Sequence, residues 1–574
     1  MRLAVSETQQ QKTIKALASA GADFALHEVS RIRGRGIPSP ELEFEIGQLF
    51  ERLELTYEAI EAYWRSVDLG RRTADSYLRL ARLYEPLGYC GRALWYSAKA
   101  ARLTKSDSST LELLARTQCR IGKVASGLRT YRRAMKLCPA DAALHSKYLF
   151  ALLHDAGQSS ARLKQANERW CRLHCPAPPR KLAFSNEPNP RRKLRLGYLC
   201  AEFRRSPAYH VVLPLIEGHD RNSFEIYCYH LSEINDEITS EYKKAADHWR
   251  DVAAYAPDKI KEQILRDRID VLVERSGHIS CPLGIQVCQR RAAPVQVAHL
   301  NYPCTTGCSE IDYLVSDRWT TPDQEAFSRQ YSERALYQVP SGCLVYRPQN
   351  DAPETTSLPA RRHGHVTFGL FQRPAKWNDG VWDAIAVVLE KIPTARLFVQ
   401  HADRELGEPG SASSREVLRA LGGRGVAASR IEFEGVKNKA DYPGIVAKVD
   451  IALDTFPYSG EITTCTCLWM GVPVVTLAGD RYSSRVSGSI LSRIGLEDWV
   501  TTSTEDYIAV AVAKAGNLPS LAKLRSGLRS RMADSSVCRP EIVVRELEEG
   551  YRWMWGQYGF GRQPCLTARL GDRS

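Results

Sequence analysis

The chain has 574 residues, which is too long for one hydrophobic core, so we expect two to four domains. Its 44% hydrophobic and 25% charged residues are typical of a folded protein and exclude a largely disordered one. No stretch approaches the roughly 18 uninterrupted apolar residues that a membrane span needs, and the amino terminus lacks the compact apolar segment of a secretory signal. We therefore expect a cytoplasmic protein without a membrane span.

The formal charge of +13 does not by itself indicate nucleic acid. The basic residues are dispersed among 66 acidic ones, and no zinc-finger spacing or aromatic–basic RNA motif occurs. A basic surface also suits an anionic small molecule or an acidic protein partner. The 16 cysteines are scattered and often stand in apolar runs, so we expect buried, reduced thiols, no structural metal and no cofactor.

A repeat occupies the first part of the chain. Three frames of 34 residues begin at Pro40, Ala74 and Ser108, and each carries small residues at the same places, which lets two antiparallel helices approach closely. Those small residues are Gly47, Ala81 and Ala115 at the eighth position, Ala59, Ala93 and Gly127 at the twentieth, and Ser66, Ala100 and Ala134 at the twenty-seventh. The pattern resembles tetratricopeptide repeats over residues 40–174, with a degenerate fourth repeat at "ALHSKYLFALLHDAG" and a helical cap over 1–39.

Beyond a proline-rich linker at 175–193 the pattern changes to short β-branched runs that alternate with helical segments. This alternation predicts a parallel sheet covered by helices at 194–345 and, after a second linker at 346–364, another at 365–535. A helix and tail at 536–574 complete the chain. The predicted fold class is therefore α + α/β, an α-solenoid followed by two Rossmann-like lobes, and ligands of such sheets bind beyond the carboxyl ends of the strands.

The stretch Asp450–Asp480 reads as strand, loop, helix and strand, with Thr463 and Thr464 where the helix should begin. Free backbone N–H groups and the helix dipole make that place an anion site, although threonines there are equally good plain N-caps. The loop "FQRPAK" puts Lys376 on the same cleft. Local positive charge of this kind suits the diphosphate leaving group of a nucleotide sugar.

With these residues assembled, the chain resembles the O-GlcNAc-transferase and SPINDLY family. The resemblance covers nearly the whole chain and is strongest in "APVQVAHLNYPCTTG", "FEGVKNKADYPGIVAKVDIALDTFPYSG" and "LWMGVPVVTLAGDRYSSRV". It implies two lobes of the GT-B kind and metal-independent, inverting transfer of a sugar, usually GlcNAc from UDP-GlcNAc, to Ser or Thr of a protein presented by the repeats. It leaves open another donor (GDP-fucose or UDP-glucose) and a non-protein acceptor.

The resemblance also implies roles for individual residues. Lys376 matches the lysine that holds the donor diphosphate and supports departure of the leaving group, and His210 matches a second histidine seen in some members. Thr463 and Thr464 match the threonines at the start of the phosphate-binding helix, and Thr305 and Thr306 match the sugar-side loop. Arg485 matches a position at the start of the next helix, and Gly277 with His278 resembles a glycine–histidine turn.

Several residues depart from the family pattern around the donor site. Ser206 replaces the active-site histidine, Glu461 stands where relatives carry small, hydroxyl or histidine residues, and Gln372 with Arg373 replaces an asparagine-led pair. A carboxylate near the phosphates is unfavourable unless a cation pairs with it, so we expect Arg373 to face Glu461. Changed donor specificity, weak catalysis and an inactive repeat scaffold all remain open at this point.

Overall fold

The computed structural model describes residues 14, 17, 21–35, 38–104, 106–176, 184–299, 301–435, 438–562, 564 and 567–568. The chain divides into two compact units. One comprises Met1–Cys138 with Ala402–Glu416, and the other comprises Pro139–His401 with Val417–Ser574. No described helix is both long enough and apolar enough to cross a membrane.

The first unit is built from helix pairs. After α1 (Ala22–Arg35), the pairs are α2 (Pro40–Arg52) with α3 (Thr56–Asp68), α4 (Ala74–Tyr84) with α5 (Cys90–Leu103), and α6 (Ser108–Arg120) with α7 (Val124–Leu137). The first helix of each pair begins at the residue where a repeat frame begins. The small residues make the predicted close contacts, because a Cβ added at Gly47 would lie 2.6 Å from the Tyr63 ring. The tetratricopeptide-type solenoid is confirmed.

The second unit begins with two helices, α8 (Ala142–Leu152) and α9 (Ser160–His174), and continues into the first lobe. The strands of this lobe are β1 (Leu194–Cys200), β2 (Phe224–His230), β3 (His248–Asp251), β4 (Val271–Glu274), β5 (Val295–His299), β6 (Tyr313–Ser316) and β7 (Ala335–Gln338). Its helices are α10 (Tyr209–Glu217), α11 (Glu237–Ala245), α12 (Pro257–Arg266), α13 (Leu283–Gln289) and α14 (Gln324–Gln330).

The second lobe repeats the alternation. Its strands are β8 (Thr367–Leu370), β9 (Arg396–His401), β10 (Ile431–Gly435), β11 (Ile451–Leu453), β12 (Val474–Leu477) and β13 (Val500–Thr501). Its helices are α15 (Pro359–His363), α16 (Asp379–Lys391), α17 (Ala412–Gly422), α18 (Tyr442–Val446), α19 (Ile462–Trp469), α20 (Tyr482–Ser492), α21 (Thr504–Ala515) and α22 (Leu518–Ala533). The chain then returns to the first lobe with α23 (Pro540–Gly559) and the short strand β14 (Thr567–Ala568), and Val543, Leu547 and Trp555 of α23 are buried in the core of that lobe.

Both sheets are parallel in every described strand pair. The first has the order β14-β7-β6-β5-β4-β1-β2-β3, and the second has the order β10-β9-β8-β11-β12-β13. In each sheet the chain proceeds outward in both directions from one central pair, β1 with β4 and β8 with β11. Ligands of parallel α/β sheets bind at this reversal point, beyond the carboxyl ends of the strands. The two reversal points therefore locate the candidate site.

Candidate donor site

Asp454 follows β11 at the reversal point of the second sheet and fixes the loop that comes after it. Its side chain is fully buried, and Oδ1 accepts hydrogen bonds from the backbone N–H of Thr455 (2.9 Å) and of Gly460 (2.8 Å). Oδ2 accepts from the Thr476 hydroxyl at 2.8 Å. Burial raises the pKa of Asp454, which these donors oppose. The loop 455–460 is therefore folded around one buried carboxylate, a role that the sequence analysis did not assign.

Lys376 lies on the neighbouring loop, in a short turn after β8. Its half-buried side chain reaches over the ring of Tyr458, with Nζ 3.9 Å from the ring centroid, and donates to the carbonyl oxygen of Ser459 at 2.5 Å. Burial and the nearby Arg373 lower the pKa of Lys376 to about 7. The cation is thus held in surroundings that favour its loss of a proton until an anion arrives.

Helix α19 begins with Ile462, one residue before the predicted threonine pair, and Glu461 occupies its N-cap position. The Glu461 side chain is half-buried and makes no capping hydrogen bond. Burial raises the pKa of Glu461, and the cations Lys376, Arg275 and Arg373 oppose this rise in that order. The free N-terminus of a helix with cations around it favours an anion.

The two threonines of this helix have different surroundings. Thr464 is buried, and its hydroxyl is 2.8 Å from that of Ser487. Thr463, the second residue of α19, is half-buried. The backbone N–H groups at the start of α19 therefore offer the main anion contacts, with Thr463 at their edge.

Gln372 and Arg373 differ in burial and in their hydrogen-bond partners. Gln372 is buried, donates to Asp454 Oδ1 at 2.8 Å and accepts from the N–H of Phe371 at 3.2 Å, so its amide joins the two loops. Arg373 is exposed. It makes no ion pair with Glu461 within 4.0 Å in the described part of the chain, which differs from the expected direct pair.

Thr305 and Thr306, predicted on the sugar-side loop, are engaged inside the first lobe. Both are buried, and their hydroxyls donate to the two carboxylate oxygens of Glu333 at 2.8 and 2.7 Å. Arg485 bridges the lobes, because Nε donates to the carbonyl oxygen of Trp319 at 2.6 Å and Nη1 to that of Gly479 at 3.0 Å. In this structure the polar groups of these three residues serve the protein's own scaffold.

His210 stands in the first turn of α10 and is half-buried beside Tyr346. Its Nδ1 donates to the carbonyl oxygen of Arg347 at 2.8 Å, which fixes the tautomer and leaves the lone pair on Nε2. Burial lowers the pKa of His210. The nearby Ser206 has a buried hydroxyl oxygen without a hydrogen-bond partner among the described residues. Of the two, only His210 has the chemistry of a base near neutral pH.

His278 is a packing residue. It is buried between Trp170 of α9 and Tyr302, with ring centroids 4.7 and 5.3 Å away, and its Nδ1 lies 2.5 Å from the Ser146 hydroxyl. Burial lowers its pKa to about 3. This histidine joins α8 and α9 to the first lobe.

His154, which the sequence analysis did not select, reaches the site from the turn after α8. Its ring packs on Tyr458 at 5.0 Å, and its Nδ1 donates to the carbonyl oxygen of Phe150 at 3.1 Å. Burial, with Arg373 and Lys376 nearby, lowers the pKa of His154 to about 3, so the ring stays neutral. In sequence it is a lone histidine in a degenerate repeat, which carries little signal.

Arg481 holds the loop that carries His154. The arginine lies just before α20, is 4% exposed and donates to the carbonyl oxygens of Leu153, Asp155, Ala156 and Gln158. One buried guanidinium of the second lobe thus organises a loop of the helical segment, and with it the position of His154.

Arg275 is a second residue that the sequence analysis missed. It follows β4 at the reversal point of the first sheet and is 3% exposed, with Nη1 donating to His299 Nδ1 at 2.9 Å. The only sequence signal is a charged residue directly after a buried strand. Its guanidinium adds positive charge to the cleft from the first lobe.

Lys376, Arg275 and Arg373 each act electrostatically on Glu461 at the N-terminus of α19. Such an arrangement can hold a diphosphate and stabilise it as a leaving group, and the neutral His210 is the candidate proton acceptor. Within the described residues no three His, Cys, Asp or Glu side chains converge to hold a metal ion.

Comparisons with known proteins show which family the chain resembles. The family model described as glycosyl transferase family 41 matches residues 143–345 and 366–547. A protein of Oryza sativa subsp. japonica, named probable UDP-N-acetylglucosamine–peptide N-acetylglucosaminyltransferase SPINDLY, is 31% identical over 76% of this chain and 47% of its own length. The protein of the same name from Arabidopsis thaliana is 33% identical over 69% of this chain and 43% of its own length.

This chain thus spans less than half the length of these curated relatives. Among solved structures, a mutant O-GlcNAc transferase of Thermobaculum terrenum is 30% identical and superposes with a TM-score of 0.81, covering 97% of this chain and 100% of that one. The two Rossmann-like lobes are therefore of the GT-B kind. The chain belongs to glycosyl transferase family 41.

Proposed function

We propose that the protein is an inverting glycosyltransferase that moves GlcNAc from UDP-GlcNAc to Ser or Thr hydroxyls of protein acceptors. The observation that carries the proposal is Lys376, a half-buried cation with its pKa lowered to about 7 at the reversal point of the second sheet. The names of the relatives in rice and Arabidopsis support the same donor and a peptide acceptor.

In the proposed reaction the acceptor oxygen attacks the anomeric carbon as the bond to the diphosphate breaks. The negative charge that develops on the leaving UDP lies beside Lys376 and the N-terminus of α19, where a positive charge and backbone N–H groups stabilise it more in the transition state than in the ground state. The reaction needs no covalent intermediate, and attack from the opposite face inverts the anomeric configuration.

The acceptor proton passes to a neutral histidine. His210 is the better base, because it is half-buried, whereas His154 is 9% exposed and its pKa of about 3 makes it a weak proton acceptor. His154 instead packs on Tyr458, which also lies under Lys376, and so positions the lysine. His210→Ala should lower turnover by roughly 10²–10⁴-fold.

The repeats of the first unit serve as the platform for the polypeptide acceptor in this proposal. Solenoids of helix pairs present extended surfaces suited to a peptide, and the family names refer to peptide acceptors. We further propose that the protein acts in the cytoplasm and requires no cofactor.

The test is transfer of radiolabelled GlcNAc from UDP-GlcNAc to a Ser/Thr-containing protein acceptor, beside a hydrolysis panel of UDP-, GDP- and dTDP-sugars. Lys376→Ala should remove a charge-assisted contact of about 1.5–3 kcal/mol and lower turnover at least tenfold. The matched control is Lys448→Ala, since Lys448 is exposed and pairs with Glu434 at 2.5 Å. Undiminished turnover by Lys376→Ala would remove the leaving-group role. A folded protein that uses no sugar of the panel would instead be a repeat scaffold.

A further inference from the structure

Arg275 is a buried cation without a counter-ion in direct contact. Its Nη1 donates to His299 Nδ1, and His299 Nε2 donates to the Cys343 carbonyl oxygen at 2.9 Å, so the histidine is the neutral tautomer. Among the described residues Nε of Arg275 has no hydrogen-bond partner, and no carboxylate lies within 4.0 Å. A buried guanidinium with only a neutral partner is costly, so an anion nearby must compensate it.

Glu461 is the complementary anion in the second lobe. It is half-buried at the N-cap of α19, makes no capping hydrogen bond and has no ion pair within 4.0 Å among the described residues. The next residue, Ile462, packs against the core of the first lobe, which brings this end of α19 against the lobe that carries Arg275. Lys376 acts most strongly on Glu461, Arg275 comes next, and the exposed Arg373 comes last.

We propose that Arg275 and Glu461 form a charge pair across the cleft, and that the Glu461 carboxylate, which stands at the N-cap of α19, moves toward Arg275 when the donor's diphosphate binds there. In the free protein Lys376, Arg275 and Arg373 act on Glu461, and Arg275 also acts on the buried Glu274 that precedes it. The diphosphate brings two further negative charges, and like charges repel unless Glu461 moves to a cation of its own. Arg275 is that cation, and the pair is therefore a specificity determinant for the donor's anionic part.

The pair itself is tested without ligand, by a double-mutant cycle of Arg275→Gln and Glu461→Gln read as melting temperatures. Each single change leaves the opposite charge uncompensated, so the double variant should melt at least about 2 °C above the value that additivity predicts. The cycle of Arg373→Gln with Glu461→Gln is the matched control and should be nearly additive. Additivity in the Arg275 cycle would overturn the pair.

Should Arg275→Gln not accumulate as folded protein, Arg275→Lys replaces it in the cycle. The shorter cation reaches less far, so Glu461→Gln should shift the melting temperature less in the lysine background than in the wild-type background. Equal shifts in both backgrounds would again contradict the pair.

The displacement step rests on the proposed function and is tested by calorimetric titration of UDP. Glu461→Gln should tighten UDP binding about tenfold, because the built-in competitor is gone. Arg275→Gln should weaken UDP binding severalfold in the wild-type background. In the Glu461→Gln background the same change should weaken UDP binding by no more than about twofold. Weaker or unchanged binding by Glu461→Gln would overturn the displacement. If no variant binds UDP, the proposed donor and the displacement both fail, while the melting cycle still decides the pair.

Discussion

The lowered pKa of Lys376 predicts that donor binding depends on pH. With a pKa of about 7, the lysine is largely charged at pH 6 and largely neutral at pH 9 in the free protein. A bound diphosphate favours the charged form and raises this pKa, so binding above pH 7 requires uptake of one proton. Affinity for UDP-GlcNAc should be constant below pH 7 and fall about tenfold per pH unit above it. The total loss by pH 9 is roughly 100-fold, or about 2.7 kcal/mol.

Isothermal titration of UDP-GlcNAc between pH 6 and pH 9 measures this dependence. The intact donor is the right ligand, because its diphosphate is esterified at both ends and does not titrate in this range. Repeating the titration at pH 8.5 in two buffers with different ionisation enthalpies counts the protons taken up, and we expect close to one. Lys376→Met should bind more weakly with a flat profile. A wild-type affinity that stays constant from pH 6 to pH 9 would refute the reasoning.

Three further predictions concern the scaffold of the site. Gly460→Ala should destabilise the loop by about 1–3 kcal/mol and weaken donor binding, because the new Cβ would lie 2.3 Å from the Thr464 hydroxyl. Thermal unfolding with and without UDP measures both effects. An unchanged melting temperature would contradict the close packing at Gly460. Asp454→Asn replaces a carboxylate acceptor with an amide, so the free energy of unfolding measured by denaturant titration should fall by about 1–3 kcal/mol. An unchanged free energy of unfolding would show that other contacts hold the loop. Arg481→Gln should free the loop that carries His154, because the hydrogen bonds from the guanidinium to the loop carbonyl oxygens are lost. Hydrogen exchange at residues 153–158 should then accelerate without global unfolding. Unchanged exchange would show that Arg481 does not hold the loop.

The architecture could be predicted because it depends on periodic patterns. Pro40, Ala74 and Ser108 start both the repeat frames and the first helices of the pairs, since small residues recurring every 34 positions reflect one repeated packing contact. Contacts, however, place α8 and α9 with the lobes, so the compact repeat unit ends at residue 138, whereas the sequence pattern extends the repeat region to 174.

The side-chain partners could not be predicted in the same way. Thr305 and Thr306 read as ligand-binding hydroxyls, yet both bond to Glu333, an acidic residue with no distinguishing context in the sequence. Arg275 and His154 each stand alone in sequence and reach the cleft only through the packing of distant elements. The direct pair of Arg373 with Glu461 is absent although both stand in the second lobe, because Arg373 is exposed while Glu461 is half-buried, and the sequence does not show the direction of either side chain.

The hydrogen bonds from Arg481 to the loop that carries His154 also connect the two lobes. His278 joins α8 and α9 to the first lobe. Arg481 joins the turn between them to the second lobe, and so does the first residue of α9, Ser160, whose hydroxyl donates to Asp480 at 2.9 Å. The α8–α9 segment is thus a short second connection between the lobes, held by side-chain contacts. Because hydrogen bonds tie the turn to the second lobe and His278 ties α8 and α9 to the first, separation of the lobes would have to break one of these two sets of contacts.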